Sequence, residues 1–197
     1  DEDKFTETFY LKAKLSTDWL KWLIFDNDGR TPNLGANDGS KLFQTNNSSY
    51  LDFRPSVNLA SNLFKNESIF DDRNSTKHLE WLRVEPKTYK ELNTNDEKEY
   101  ESNGFFILKK KDINLLFRNP YFKFRPSQSD LLHLDIWFKN KNILIDSGSY
   151  SYNSSQHYYY SGVASHNTIE FDDRDQMPRL TRFLYGAWPK HSRIKNV

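Results

Sequence analysis

The spacing of apolar positions changes once along the chain, from near 3.6 to 2. In the first part, Ser16-Thr17-Asp18 supplies N-cap residue types. The apolar Trp19, Leu20, Trp22, Leu23 and Ile24 follow and predict a short helix ending near Asn27–Gly29. Asp52–Phe64 predicts a second helix, with Pro55 in its first turn and Val57, Leu59, Ala60, Leu63 and Phe64 on one side. Ser75–Val84 predicts a third, capped by Ser75, with Leu79 and Leu82 inward and His78 a surface or partly packed histidine. Between the first two lies RTPNLGANDGSKLF, whose Gly, Asn, Asp and Pro residues forbid a regular element. The segment 85–102 is charged and reads as a solvated linker between a helical segment, 1–84, and a β segment, 103–197.

From Gly104 the period is two. Phe105–Lys109 and Ile113–Arg118 predict a hairpin across Lys110–Asp112, and Tyr121–Arg125 alternates towards a further strand. Leu131–Phe138 predicts a strand with Leu131, His133, Asp135 and Trp137 on one face, and Asn142–Gly148 its hairpin partner. A turn around Asn140 and Lys141 that pairs Phe138 with Ile143 sets Asp135 opposite Asp146, with His133 diagonal to Asp146. Opposed carboxylates are unfavourable without a cation between them, so this face suggests a bound metal. Ser165–Phe171 predicts a third strand. If its polar face joins the hairpin's, the ligand set is His133, Asp146 and His166, with Asp135 accepting from a ligand imidazole. Two imidazoles and a carboxylate without sulfur fit zinc better than calcium or magnesium. The alternative is a histidine paired with Asp135 or Asp146 across the hairpin.

Composition narrows the remaining choices. The 197 residues allow one or two domains, and 15 Phe, 11 Tyr and 5 Trp make any core aromatic-rich. A net charge of +1 gives no field that argues for nucleic acid, and basic residues follow no nucleic-acid module pattern. With no cysteine there are neither disulfides nor thiolate sites. The acidic, polar opening DEDKFTETF is neither a signal peptide nor a membrane span. The abrupt opening without Met, and the end soon after the third ligand segment, read as an internal piece of a longer protein.

The hairpin HLDIWFKNKNILIDSGSYSYN and the following SHNTIEFDDRDQMPR resemble the metal-bearing β-sandwich of the heparinase II/III-like family, over about Arg30 to Trp188. The resemblance implies an α+β fold: the C-terminal end of an α/α-toroid, followed by part of an antiparallel β-sandwich. It implies zinc held by His133, Asp146 and His166. It also implies an acidic polysaccharide as partner and a periplasmic or secreted location. RTPNLGANDG resembles the family's loop at the toroid mouth, where Asn33, Asn37 and Asp38 would bond sugar hydroxyls. The other reading is a connector whose side chains satisfy their own backbone. One departure is Leu131, which stands where characterised lyases often carry a further histidine.

A lyase acting on a uronate must stabilise charge at the substrate carboxylate, remove the neighbouring proton and protonate the leaving oxygen. Comparison with the family matches Tyr159 to a sandwich-domain tyrosine, with Tyr158 its neighbour, and the run His157–Tyr160 lies between the last two ligands. Arg125 and Gln128, ahead of the first ligand strand, are expected as carboxylate or hydroxyl contacts. The tyrosines read equally as a sugar-stacking platform. Two functions follow: a polysaccharide lyase working by β-elimination, or a non-catalytic carbohydrate-binding or assembly protein that keeps the fold and zinc. The segment alone, lacking most of its toroid, is expected to be inactive.

Overall fold

The computed structural model describes residues 5–37, 39–41, 43–90, 98–102 and 104–190. The expected sugar contact Asp38 and residues 91–97 of the expected linker lie outside the described residues. The backbone divides into two compact units, residues 1–31 with 39–96, and residues 32–38 with 97–197.

The first unit holds α1 (Glu7–Leu23), α2 (Arg54–Phe64) and α3 (Arg73–Trp81). α1 begins ten residues before the expected cap, because the Thr6 hydroxyl accepts from the Phe9 amide at 3.3 Å. Thr17 lies within the helix instead, donating its hydroxyl to the Ala13 carbonyl at 2.8 Å, so its capping capacity is absorbed. α3 is capped by Asp72 rather than Ser75: its carboxylate accepts from the Ser75 amide at 3.1 Å and the Ser75 hydroxyl at 2.6 Å. That helix stops at Trp81, and Leu82, expected inward, is exposed. Leu23, Phe25, Val57, Ile69 and Leu79 are buried here. Buried Asn58 on α2 accepts from the Ile69 and Phe70 amides and donates to the Ser75 carbonyl, so one side chain joins α2 to the chain entering α3.

The second unit is built on a five-stranded antiparallel sheet in sequence order: β1 (Lys98–Ser102), β2 (Phe105–Lys110), β3 (Ile113–Arg118), β4 (His133–Phe138) and β5 (Lys141–Leu144). After it come α4 (His157–Tyr160), a 3-10 turn at Val163–Ser165 and a small hairpin, β6 (Arg179–Thr181) with β7 (Leu184–Tyr185). The protein is α+β. Tyr121–Arg125, expected as a strand, is irregular, and so is the segment from His166 to Ile169.

Register puts Ile107, Leu116, Arg118, His133, Asp135 and Trp137 on one face of the sheet, all buried. The other face carries Phe106, Leu108, Leu115, Phe117, Leu134 and Ile136, all half-exposed, with Ile113 and Phe138 each 42% exposed. The polar face is therefore the covered one, and the aliphatic face meets solvent.

Candidate metal centre

The β4–β5 turn differs from the expected one. Lys139 and Asn140 both have positive φ, 46° and 62°, the conformation of a two-residue hairpin turn that follows strand twist. Phe138 therefore pairs with Lys141 and Trp137 with Asn142; a bulge then shifts Ile136 onto Leu144. The ladder ends before Asp146, so Asp135 and Asp146 are not directly opposed. Asp135 accepts from the Trp137 indole at 2.6 Å and from Asn142 Nδ2 at 3.3 Å. Its oxygen lies 4.0 Å from His133 Nε2, too far for the expected imidazole bond.

His133, Asp146 and His166 nonetheless converge, buried, with one possible ligand atom from each lying within 4.8 Å of the others. Asp146 Oδ2 is 3.2 Å from His166 Nδ1 and 3.7 Å from His133 Nε2. Ligand atoms about 2.0–2.1 Å from a tetrahedral ion stand roughly 3.3 Å apart, close to the two spacings from Asp146 to the imidazoles. Asp146 Oδ1 is engaged elsewhere, accepting the Gly148 amide at 2.8 Å, which aims Oδ2 at the imidazoles.

No third strand delivers His166. Asn167 does that work. Its carbonyl accepts from Leu134 N at 3.0 Å, and its side-chain amide donates to the Leu134 and Ile145 carbonyls at 3.1 and 3.2 Å. One side chain thus bridges the start of β4 to the chain leaving β5, replacing a ladder. The Asn167 amide also donates to His133 Nδ1 at 3.2 Å. With Nδ1 accepting, the neutral ring would carry its proton on Nε2; His133 could hold a metal ion through Nε2 only with that proton on Nδ1 instead, in place of the amide contact. His133 Nε2 has no hydrogen-bond partner in its buried position.

Charge also favours a cation. Asp130, Asp135 and Asp146 are buried together with one guanidinium, Arg118, leaving two negative charges when the imidazoles are neutral. Uncompensated buried charge is costly, and a divalent ion would balance it. The cluster can hold a metal ion.

The family described as Heparinase II/III-like, C-terminal matches residues 93–196. The chain belongs to the heparinase II/III-like family. Among solved structures it is similar to the heparan sulfate lyase HepC from Pedobacter heparinus (TM-score 0.55, 17% identity, 88% of this chain and 26% of that one). It is also similar to a heparinase III, the BT4657 gene product (TM-score 0.52, 19% identity, 87% and 25%). At these identities the likeness is one of fold, and the chain spans about a quarter of either structure. No curated protein sequence matches it.

The other expected site residues of this heparinase-like chain fall into two groups. Asn33 and Gln128 converge on Gly148. The Asn33 side chain lies over its α-carbon, and Gln128, buried, donates to its carbonyl at 3.3 Å. The Asn37 amide donates to the Ser149 hydroxyl at 3.0 Å, so the loop 32–37 is docked on the segment after β5 that carries Asp146. The second group is exposed: Tyr158 is 48% and Tyr159 60% exposed on α4. The expected overhanging run is thus one helical turn. It is tied to the third ligand, for Ser165 donates to the Tyr160 and Gly162 carbonyls, and Ser165 precedes His166. Arg125 is exposed, its guanidinium 5.9 Å over the Phe183 ring. Sequence reasoning missed Arg179, which lies 5.0 Å over Tyr158 and 4.8 Å over Tyr185 and donates to the Ser161 hydroxyl at 2.7 Å. Its lone position after Pro178 gave no signal.

Proposed function

We propose that this chain is part of a polysaccharide lyase that cleaves a uronate-containing polysaccharide by β-elimination, with zinc at His133, Asp146 and His166. The observation that carries the proposal is the joining of a buried two-imidazole, one-carboxylate cluster to an exposed tyrosine turn through Ser161–Ser165. The donor set favours zinc, whose charge pins the His166 segment to the sheet. Its role is structural. The hydroxyl of Tyr159, or of its neighbour Tyr158, exchanges the proton at the substrate carbon or the leaving oxygen. Arg125 supports recognition of the carboxylate: its guanidinium is laid on Phe183, and no described carboxylate pairs with it. Asn33, Asn37 and Asp38 would present sugar contacts from the docked loop, and Gln128 acts there from below through Gly148.

Elimination leaves a carbon–carbon double bond conjugated to the carboxylate, so turnover by the full-length protein appears as ultraviolet absorbance. Tyr159→Phe should lower kcat roughly 10²–10⁴-fold with binding nearly unchanged. A new reducing end without absorbance would refute the proposal. Leu131 favours the second reading, a carbohydrate-binding or assembly protein. It is buried, and its backbone is held by Gln176 and Thr168. Binding without turnover would establish that reading.

A further inference from the structure

Arg118 and Asp130 take no part in the proposed chemistry, yet both are buried beside the cluster. Arg118 is the direct partner of His133 across the β3–β4 ladder, on the same covered face. Directly opposed residues have their Cα atoms roughly 4.5–5.5 Å apart, well within the reach of an arginine side chain. Asp130, fully buried three residues before His133, forms an ion pair with Arg118 through Oδ2 and Nη1. The Phe105 ring, 5.7 Å from the guanidinium carbon, covers one side of it. Arg118 Nε is buried without a hydrogen-bond partner. Burial pushes this guanidinium down to about 10, still charged at neutral pH, and the negative charge of Asp146 opposes that shift. His133 Nε2 in turn lies 3.7 Å from Asp146 Oδ2, so a buried cation with a spare donor stands across the ladder from the histidine that meets the one carboxylate of the cluster.

We propose that Arg118 is an internal competitor for Asp146, and that Asp130 is the positioning residue that holds it off so the cluster stays open to a metal ion. The proposal rests on the metal reading above. An arginine that reached Asp146 would satisfy the same carboxylate that a dication needs, and the two cations would repel each other. Asp130 resolves the conflict by giving the guanidinium its own counter-charge. A merely structural pair would stabilise the fold without regard to what fills the neighbouring cluster. The competitor model makes a different statement, because removing Asp130 frees a rival whereas removing both residues removes it.

The test is zinc affinity, measured by competition with a chromophoric chelator on metal-stripped protein, alongside the melting temperature of the stripped protein. Asp130→Asn should weaken zinc at least about tenfold, since the amide no longer neutralises Arg118. Adding Arg118→Met in the same chain should restore affinity to within about threefold of the parent, even if the melting temperature does not recover. Arg118→Met alone should bind zinc no more weakly than the parent, which keeps the test available if Asp130→Asn fails to fold. Weaker zinc in that single variant, or a double variant no better than Asp130→Asn, overturns the proposal. A parent that binds no zinc overturns the metal reading itself. A parent that binds zinc with affinity indifferent to Asp130→Asn leaves the metal reading standing and removes this one.

Discussion

A methyl group on Gly148 would sit 2.3 Å from the side-chain nitrogen of Asn33. Two segments more than a hundred residues apart meet there, the loop 32–37 and the Asp146-Ser-Gly148 turn. Gly148 also has φ +73°, a conformation that side chains resist. Gly148→Ala should therefore cost about 1–3 kcal/mol in stability and reduce zinc content, because Asp146 Oδ1 is oriented by the Gly148 amide. Asn33→Ala in the same chain should recover the steric part and leave the backbone part. Denaturant melts of the parent and the two variants separate the two contributions.

Asp135 bonds within the sheet rather than towards the cluster of His133, Asp146 and His166. Its oxygens receive the Trp137 indole and Asn142, and Asp135→Asn would turn an amide donor towards one of those donors. A loss of about 1–3 kcal/mol is expected, with metal still bound at one ion per chain. Elemental analysis of the variant checks this. Loss of the metal would show that Asp135 is a ligand.

The two sheet faces should respond oppositely to substitution. Trp137→Ala, on the covered polar face, should cost about 3–5 kcal/mol. Ile113→Lys, on the solvent-facing apolar side, should change stability by less than about 1 kcal/mol and lower the binding of a hydrophobic dye. Unchanged dye fluorescence would mean that this face is not the exposed apolar surface in solution.

His78 makes the helical unit sensitive to acid. Its ring lies against Thr45 and Asn46, and burial, aided by Lys41, holds its imidazolium below the ordinary histidine value of 6.5. A base depressed in this way binds fewer protons folded than unfolded between its folded pKa and 6.5. Its stability is therefore complete above about 6.5 and falls as pH drops through that window. The advantage of the parent over His78→Gln, measured by urea unfolding, should shrink between pH 7 and pH 5. A gap that widens would reverse the sign of this coupling.

The apolar periods were enough to place α2 and α3, the β2–β3 hairpin and the strand carrying His133, because each element is dictated by residues close in sequence. α1, by contrast, runs Glu7–Leu23 rather than from the expected cap to Asn27–Gly29. Local signals also misled. Ser16-Thr17-Asp18 and Ser75 have the side chains of helix caps, but Thr6 and Asp72 lie nearer the true starts and took that role. The register of β4 with β5 was missed because Lys139 and Asn140 adopt left-handed conformations and a bulge follows, and neither feature has a period.

The sequence by itself determined the chemistry available: two histidines and an aspartate without sulfur, a tyrosine run just before the last ligand, and the family to which these motifs belong. Only the tertiary structure decided how they meet. Asn167 replaced a strand with side-chain hydrogen bonds, Asp135 turned to Trp137, and Arg118 came to face His133. Each of these depends on pairing across the fold, where the direction of a side chain is set by its neighbours in space. Residue type alone does not specify those neighbours, so the metal cluster was legible in outline and its surrounding charges were not.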